Sequence, residues 1–135
     1  MLAMYQCSLI TGTEGMYNIT SEIKSQVQKH GWKDGILLVY CPHTTASVVV
    51  SENIDIDVKA DILNAYRDAF PKKEDHLHYE GNAYAHIRAT VSGASVFLIV
   101  ENQKLILGQF QGVFFMEFDG PRTRRYYLKF IPTAE

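Results

Sequence analysis

The sequence is short of cysteine, of long apolar runs and of charge of one sign, and each shortage excludes something. Two cysteines in 135 residues, Cys7 and Cys41, are too few for a disulfide scaffold. Both lie in apolar, strand-like runs. That favours buried reduced thiols over a zinc site, whose cysteine ligands stand close together in sequence. Thirteen Lys and Arg against fifteen Asp and Glu leave a net charge of -2, without the basic footprint of a nucleic-acid-binding domain. No apolar run approaches the roughly 20 residues of a membrane-spanning helix. The opening stretch MLAMYQCSLITG has no basic segment before its apolar residues, so no signal peptide and a cytoplasmic location are expected. A GxGxxG word, a P-loop and a GxSxG elbow are also missing. Dinucleotide binding, nucleotide-phosphate cradling and that route to acyl transfer therefore have no support.

What is present reads as one globular domain over residues 1–135. Hydrophobic residues make up 47% and charged residues 21%, enough apolar surface to offset chain entropy. No repeat, low-complexity tract or linker divides the chain. Strands are expected over 5–10 and 14–18. A helix follows in ITSEIKSQVQKHG, with Thr20 as cap, Glu22 in the positive first turn, Gly31 at the stop and Ile19, Ile23 and Val27 as its buried stripe. The strand over 35–41 is apolar throughout, so cover on both faces is expected. Pro42 breaks it, and 46–52 is extended again.

A second helix starts near Asp55 or Asp57 and runs to Phe70, before Pro71. Its expected apolar face is Val58, Ile62, Ala65, Tyr66 and Ala69. After a polar loop, Asn82 is placed to cap a third helix, AYAHIRATVS, stopped by Gly93. Strands over 94–100, 105–110, 113–119 and 124–131 complete the chain. Strands at both ends and helices in the middle argue for an α+β fold.

Five histidines are present. His43 lies in CPHTTAS between two strands, His76 and His78 in the polar loop, and His86 on the third helix. Three imidazoles with an open position form a catalytic metal site. On spacing alone, solvated loop residues and a half-buried helix residue account for them better than a metal site does. Carboxylates cluster in SENIDIDVKAD as Glu52, Asp55, Asp57 and Asp61. Asp57 and Asp61 share a helix face, where like charges repel unless a cap, a cation or an arginine intervenes. A cap at Asp55 or Asp57 with a solvated Asp61 meets that need without any site. In EFDGPRTRR, Glu117 and Asp119 alternate along a strand and point to one side. Arg122, Arg124 and Arg125 follow, as phosphate-binding forks or as local ion pairs. The aromatics of VFFMEF and YYLKFI fall on both strand faces. A domain this small has limited interior for them, so a neighbouring subunit is expected to cover some.

The words CPHTTASVVVSENIDIDVKAD, HYEGNAYAHIRATVSGAS and VENQKLILGQFQGVFFMEFDGPRTR together resemble the small YjbQ-like family, described as secondary thiamine-phosphate synthases. They span almost the whole chain in the family's order. The resemblance implies a single α+β domain of two packed, mostly antiparallel sheets with about three helices, assembled as a homotrimer. By motif, His43 of the HTT word, His86 of the AH word and His78 before Glu80-Gly81-Asn82 are implied ligands of a divalent metal. Zinc is favoured and magnesium is the alternative; His76 is the alternative loop ligand. Glu52, Asp55, Asp61 and Glu117 match acidic positions and are the implied catalytic or orienting carboxylates. Arg122 and Arg124 are the residues available for a substrate phosphate. Gly108 and Gln111 match a glycine–glutamine word in which Phe110 replaces the usual tryptophan, so altered packing is expected there. The implied reaction joins hydroxymethylpyrimidine diphosphate to thiazole phosphate, as a main or a side activity. The alternatives are a metal-dependent hydrolase of a small metabolite and a trimeric metal- or ligand-binding protein without turnover. A small phosphorylated metabolite is the expected partner, with no nucleic acid and no membrane.

Overall fold

The first and last strands are neighbours. In the computed structural model, which describes residues 4–133, β1 (Met4–Ile10) pairs antiparallel with β8 (Thr123–Pro132), Cys7 opposite Tyr126. β3 (Gly35–Tyr40) pairs with the other edge of β8 and with β5 (Ser95–Glu101), which turns into the short β6 (Lys104–Ile106). The result is a five-stranded sheet of order β1-β8-β3-β5-β6. The turn into β6 uses Asn102 and Gln103 at φ 51° and 61°, the left-handed pair that matches the twist of a tight hairpin. A second sheet has three antiparallel strands: β2 (Gly15–Asn18), β7 (Gln111–Glu117) and β4 (Ala46–Glu52), with β7 central. Helices α1 (Thr20–His30), α2 (Ile56–Ala69) and α3 (Ala83–Ser92) complete the α+β fold.

Alternation along the strands divides the apolar residues between two cores. Val113 and Phe115 of β7 point toward the larger sheet and meet Leu37, Val39, Tyr126 and Leu128. Ile19, Ile23 and Val27 of α1, all buried, join this core. Phe114 and Met116 point the other way and, with Phe118, pack on Ala85 and Ala89 of α3 and on Ile62, Leu63 and Tyr66 of α2. The layers are therefore the larger sheet, the smaller sheet and the α2–α3 pair. Each fully buried Phe or Leu contributes roughly 1.5–3 kcal/mol, so β7, apolar on both faces, carries much of the stability.

Several sequence expectations change. Thr20 does not cap α1 but lies inside it; the Asn18 carboxamide oxygen accepts the Thr20 N–H at 3.0 Å and its hydroxyl at 2.6 Å. Thr20 Oγ1 in turn accepts the Val113 N–H at 2.9 Å, tying α1 to β7. Gly31 stops α1 in the left-handed region at φ 64°, as expected. Asp55 caps α2, accepting the Asp57 N–H at 2.9 Å. Ala65 and Ala69 are exposed, because α2 leans on the sheet through Ile62, Leu63 and Tyr66 instead. Strand β3 is covered on one face only: Leu37 and Val39 are buried, while Ile36 and Leu38 are half-exposed and Tyr40 is exposed. The aromatics of VFFMEF find cover on both faces within the chain. Phe97, Ile99, Ile106 and Ile131 lie uncovered on the outer face of the larger sheet. Cys7 and Cys41 are free and buried.

Candidate functional site

Strand β3 ends where the Cys41 N–H donates to Ala94 O at 2.7 Å and Pro42 terminates pairing. That break turns His43 out of the sheet toward the start of α3. The Arg122–Arg124 turn approaches from β8, and the loop before α3 brings His78. A cavity of about 350 Å³ results, lined by His43, His78, Glu80, His86, Arg122 and Arg124, with Asn82 and Thr45 on its wall. His76 is not among its lining residues, so the loop contributes His78.

Imidazole geometry differs around the cavity. The His78 and His86 rings stand edge to face with centroids 5.0 Å apart. His78 Nε2 is buried without a hydrogen-bond partner, and the Glu80 carboxylate lies 3.7 Å from it. Asn82 Oδ1 is a second buried atom with no partner, while Asn82 Nδ2 donates to Asp119 at 2.8 Å rather than capping α3. His43 Nε2 lies 3.0 Å from the Arg125 backbone nitrogen and 3.1 Å from its carbonyl oxygen. The Arg125 N–H donates to Nε2 in the tautomer whose proton sits on Nδ1; only the other tautomer, donating from Nε2 to the Arg125 carbonyl, leaves Nδ1 a lone pair for a ligand. Burial, then the positive charges of Arg124 and Arg125, holds the His43 pKa below its ordinary value and keeps the ring neutral, the form that ligates.

The guanidiniums are pinned from behind. Glu117 is fully buried and accepts Arg124 Nε at 2.7 Å, the Thr11 hydroxyl and the Asp119 N–H at 3.0 Å. Arg124 Nη2 also donates to Thr45 Oγ1 at 2.8 Å. Burial alone raises the Glu117 carboxyl, but the hydrogen bonds from Arg124, Thr11 and the Asp119 N–H outweigh it and hold the pKa below the usual carboxylate value. Asp119 follows the same pattern through Asn82 and Arg122. Arg122 donates to the Asp119 carboxylate at 3.1 Å and to its backbone carbonyl at 2.7 Å. The turn that holds these pairs needs Gly120, where a Cβ would sit 1.8 Å from Gly12 O.

The expected acids divide. Glu117 is not a cavity wall and is committed to Arg124, so it is an anchor for that arginine and not a general base. Glu52 and Asp55 line a different cleft with Asn18, Asn53 and Lys59. Glu52 accepts the backbone N–H groups of Ile54 and Asp55, and Asp55 caps α2. Asp61 is exposed on α2. For Glu52 and Asp55 the local need of a helix start, not the cavity, sets the carboxylate's place, and solvent takes Asp61. Glu80 was not singled out by sequence reasoning, although it stands two residues from His78. Arg88, also missed, is buried. It donates to Phe70 O at 3.0 Å and to Glu14 at 3.1 Å and lies over the Tyr84 ring at 4.7 Å. It fastens α3, and with it His86, to the end of α2.

The neutral His43 ring and the orphaned, buried Nε2 of His78 are donor chemistry that suits a soft divalent ion. The His78–His86 pair is already together. Among the described residues, no three His, Cys, Asp or Glu side chains are gathered into a metal-holding group.

Fold and site define a two-sheet α+β domain with an imidazole–guanidinium cavity where β3, β8 and α3 meet. Residues 5–133 match the model of the UPF0047 protein YjbQ-like family, and the chain belongs to that family. It is 46% identical to the UPF0047 protein YugU of Bacillus subtilis over 122 residues, 90% of this chain and 92% of that one. It is 43% identical to the UPF0047 protein MJ1081 of Methanocaldococcus jannaschii over 97% of this chain and 94% of that one. The fold superposes on a crystal structure of an uncharacterized conserved YjbQ/UPF0047 protein from Clostridium acetobutylicum with a TM-score of 0.91 at 45% identity. That match covers 94% of this chain and 99% of that one.

Proposed function

We propose that this chain is a metal-dependent transferase of the kind its sequence resembles, a secondary thiamine-phosphate synthase acting on phosphorylated small metabolites. One observation carries the reading: a single cavity is lined by His43, His78 and His86 together with Arg122 and Arg124. Phosphate groups seek guanidinium forks, and forks already fixed by Asp119 and Glu117 lose little freedom on binding. In the reaction, the thiazole ring nitrogen attacks the methylene carbon of hydroxymethylpyrimidine diphosphate. A C–N bond forms, the C–O bond breaks, and its electron pair leaves with the diphosphate. That nitrogen carries no proton, so the chemistry needs no general base, which suits a site whose buried glutamate is committed elsewhere. Arg122 and Arg124 hold the anionic groups; Glu117 is a positioning residue that acts through Arg124. A divalent ion held by His43, His78 and His86 would neutralise the departing diphosphate as a Lewis acid; imidazole donors favour zinc, whereas diphosphate chemistry commonly employs magnesium.

The test is His86→Ala, with metal content and thiamine-phosphate formation measured together. Loss of both is expected. Synthase activity that persists after the metal is lost overturns the reading. A second reading, a metal-dependent hydrolase, is favoured by Glu80, the one carboxylate lining the cavity among the described residues and 3.7 Å from His78 Nε2. It has the position to take a proton from water. Glu80→Gln would then lower phosphate release by about 10²-fold or more while leaving carbon–nitrogen bond formation intact. Metal bound without turnover of either kind would leave a binding protein.

The same reading includes a cytoplasmic homotrimer. Among the described residues no helix is long and apolar enough to cross a membrane. An uncovered apolar sheet face supports the assembly. Phe97, Ile99, Ile106 and Ile131 are all exposed there.

A further inference from the structure

His78, Asn82 and His86 follow one another at four-residue steps, and all three line the histidine–arginine cavity. The backbone makes them one wall. His78 O accepts the Gly81 N–H at 3.1 Å, closing a turn in which Gly81 holds φ 78°. Asn82 O then accepts the Ala85 N–H at 3.0 Å and the His86 N–H at 3.4 Å, which starts α3 and sets His86 one turn along from Asn82. The two imidazole rings end with centroids 5.0 Å apart.

The Asn82 carboxamide has a fixed orientation. Nδ2 donates to Asp119 Oδ2 at 2.8 Å, and Arg122 Nη2 donates to the same oxygen at 3.1 Å. A carboxylate paired with a guanidinium only accepts, so the amide cannot be turned over. Its oxygen takes none of the helix N–H groups that an asparagine at this position is able to cap. That oxygen is itself buried without a partner. His78 Nε2 is buried without a partner too, because Glu80, 3.7 Å away, is beyond hydrogen-bond reach. Three side-chain atoms are left in this state among the described residues, and two of them lie on this wall. Leaving such an atom unmatched costs about 1–3 kcal/mol.

Chemistry narrows what matches both. An amide oxygen offers lone pairs only, and a neutral imidazole with its proton on Nδ1 offers a lone pair at Nε2. In that tautomer neither donates to the other, whereas a divalent cation accepts both. The ion has a need of its own. No three His, Cys, Asp or Glu side chains gather into a metal-holding group among the described residues, so a further donor has to be of another type. An amide oxygen is neutral and leaves the ion its full charge for a phosphate. It is also harder than imidazole, which brings manganese and magnesium closer to zinc in affinity than imidazoles alone would.

We infer that Asn82 is a metal ligand, its Oδ1 binding the same divalent ion as His78 and His86. This rests on the proposed reading that the histidines hold such an ion. It adds an oxygen donor to the imidazoles.

The experiment uses cobalt(II) and zinc with the full chain. Affinity is measured by competition with a chromophoric chelator, and the visible bands of cobalt report the atoms bound to it. Asn82→Leu, close in size, should weaken both ions by about tenfold or more and shift the cobalt bands. Asn82→Ser, which keeps a capping hydroxyl at the start of α3, should do the same if Asn82→Leu fails to fold. Unchanged cobalt bands in the folded variant overturn the inference whether or not affinity falls, because a role in packing or in holding a water would leave the ligands of cobalt as they were. Zinc affinity that stays within about twofold of wild type overturns it as well. The metal reading fails separately. A wild type that binds neither ion removes both proposals. Loss of the ion in His86→Ala, beside full retention in Asn82→Leu, removes this inference alone.

Discussion

Glu117 illustrates how far a residue's role depends on its surroundings. In sequence it is an acid on a strand beside arginines, and it matches a family position for a catalytic carboxylate. In the fold it is fully buried, with its oxygens taken by Arg124, Thr11 and the Asp119 N–H. Removing one member of a buried ion pair strands the other, so Glu117→Gln should destabilise the protein by about 3–5 kcal/mol in urea unfolding. The pH dependence has a definite sign. The folded carboxyl titrates below its ordinary value of 4.5, so its contribution is complete above that value and is lost as pH falls through the lowered one. The stability gap between wild type and Glu117→Gln should be constant from pH 7 to about 5 and should shrink below 4.5. A gap that stays constant down to pH 3 would contradict the pairing. The histidine assignments went the other way. The sequence left His76 and His78 open; His78 lines the cavity and His76 does not. One residue's displacement in a polar loop has no signature in composition or periodicity.

Elements were more legible than side-chain roles. The stripe of Ile19, Ile23 and Val27 lies in the core, Gly31 and Gly93 end their helices, and every expected strand has a counterpart. Caps were less legible, because Asn18, Thr20 and Asn82 all carry capping chemistry and only the path of the chain decides which is used. The start of α2 offers a direct test of the acidic cluster. Asp55 caps that helix, and Glu52 holds the N–H groups leading into it. Asp55→Ala should therefore cost about 1 kcal/mol of stability and leave ligand binding in the histidine–arginine cavity unchanged. A tenfold or greater loss of binding or turnover, with the fold intact by circular dichroism, would return these acids to the site.

At the scale of the molecule, the outer face of the five-stranded sheet is the unfinished surface. Phe97 is 68% exposed opposite Leu38, and Ile99 is flanked by Ile36 and Ile106. If this face joins subunits of a trimer, light scattering should give about three times the mass of one chain for the wild type. Phe97→Glu should reduce that to a single chain, because a carboxylate in an apolar interface is left without a partner. A wild-type mass of one chain would refute the assembly, and an unchanged mass in the variant would remove this face from it.

The sequence by itself determined the α+β class, the order of strands and helices and the residue types able to bind metal and phosphate. Hydrophobic periodicity, turn residues and short motifs are local, and local pattern is what a chain displays directly. Tertiary structure alone decided which of those residues meet. Glu117 and Arg124 are seven residues apart and pair, yet Thr11, which completes their network, lies at the other end of the chain. His43, His78 and His86 line one cavity because β3 breaks at Pro42 where α3 begins to cross the smaller sheet. Glu52, Asp55 and Asp61, equally rich in chemistry, turn elsewhere because the start of α2 claims two of them and solvent the third. Such choices are made by packing over long sequence separations, where no spacing rule reaches.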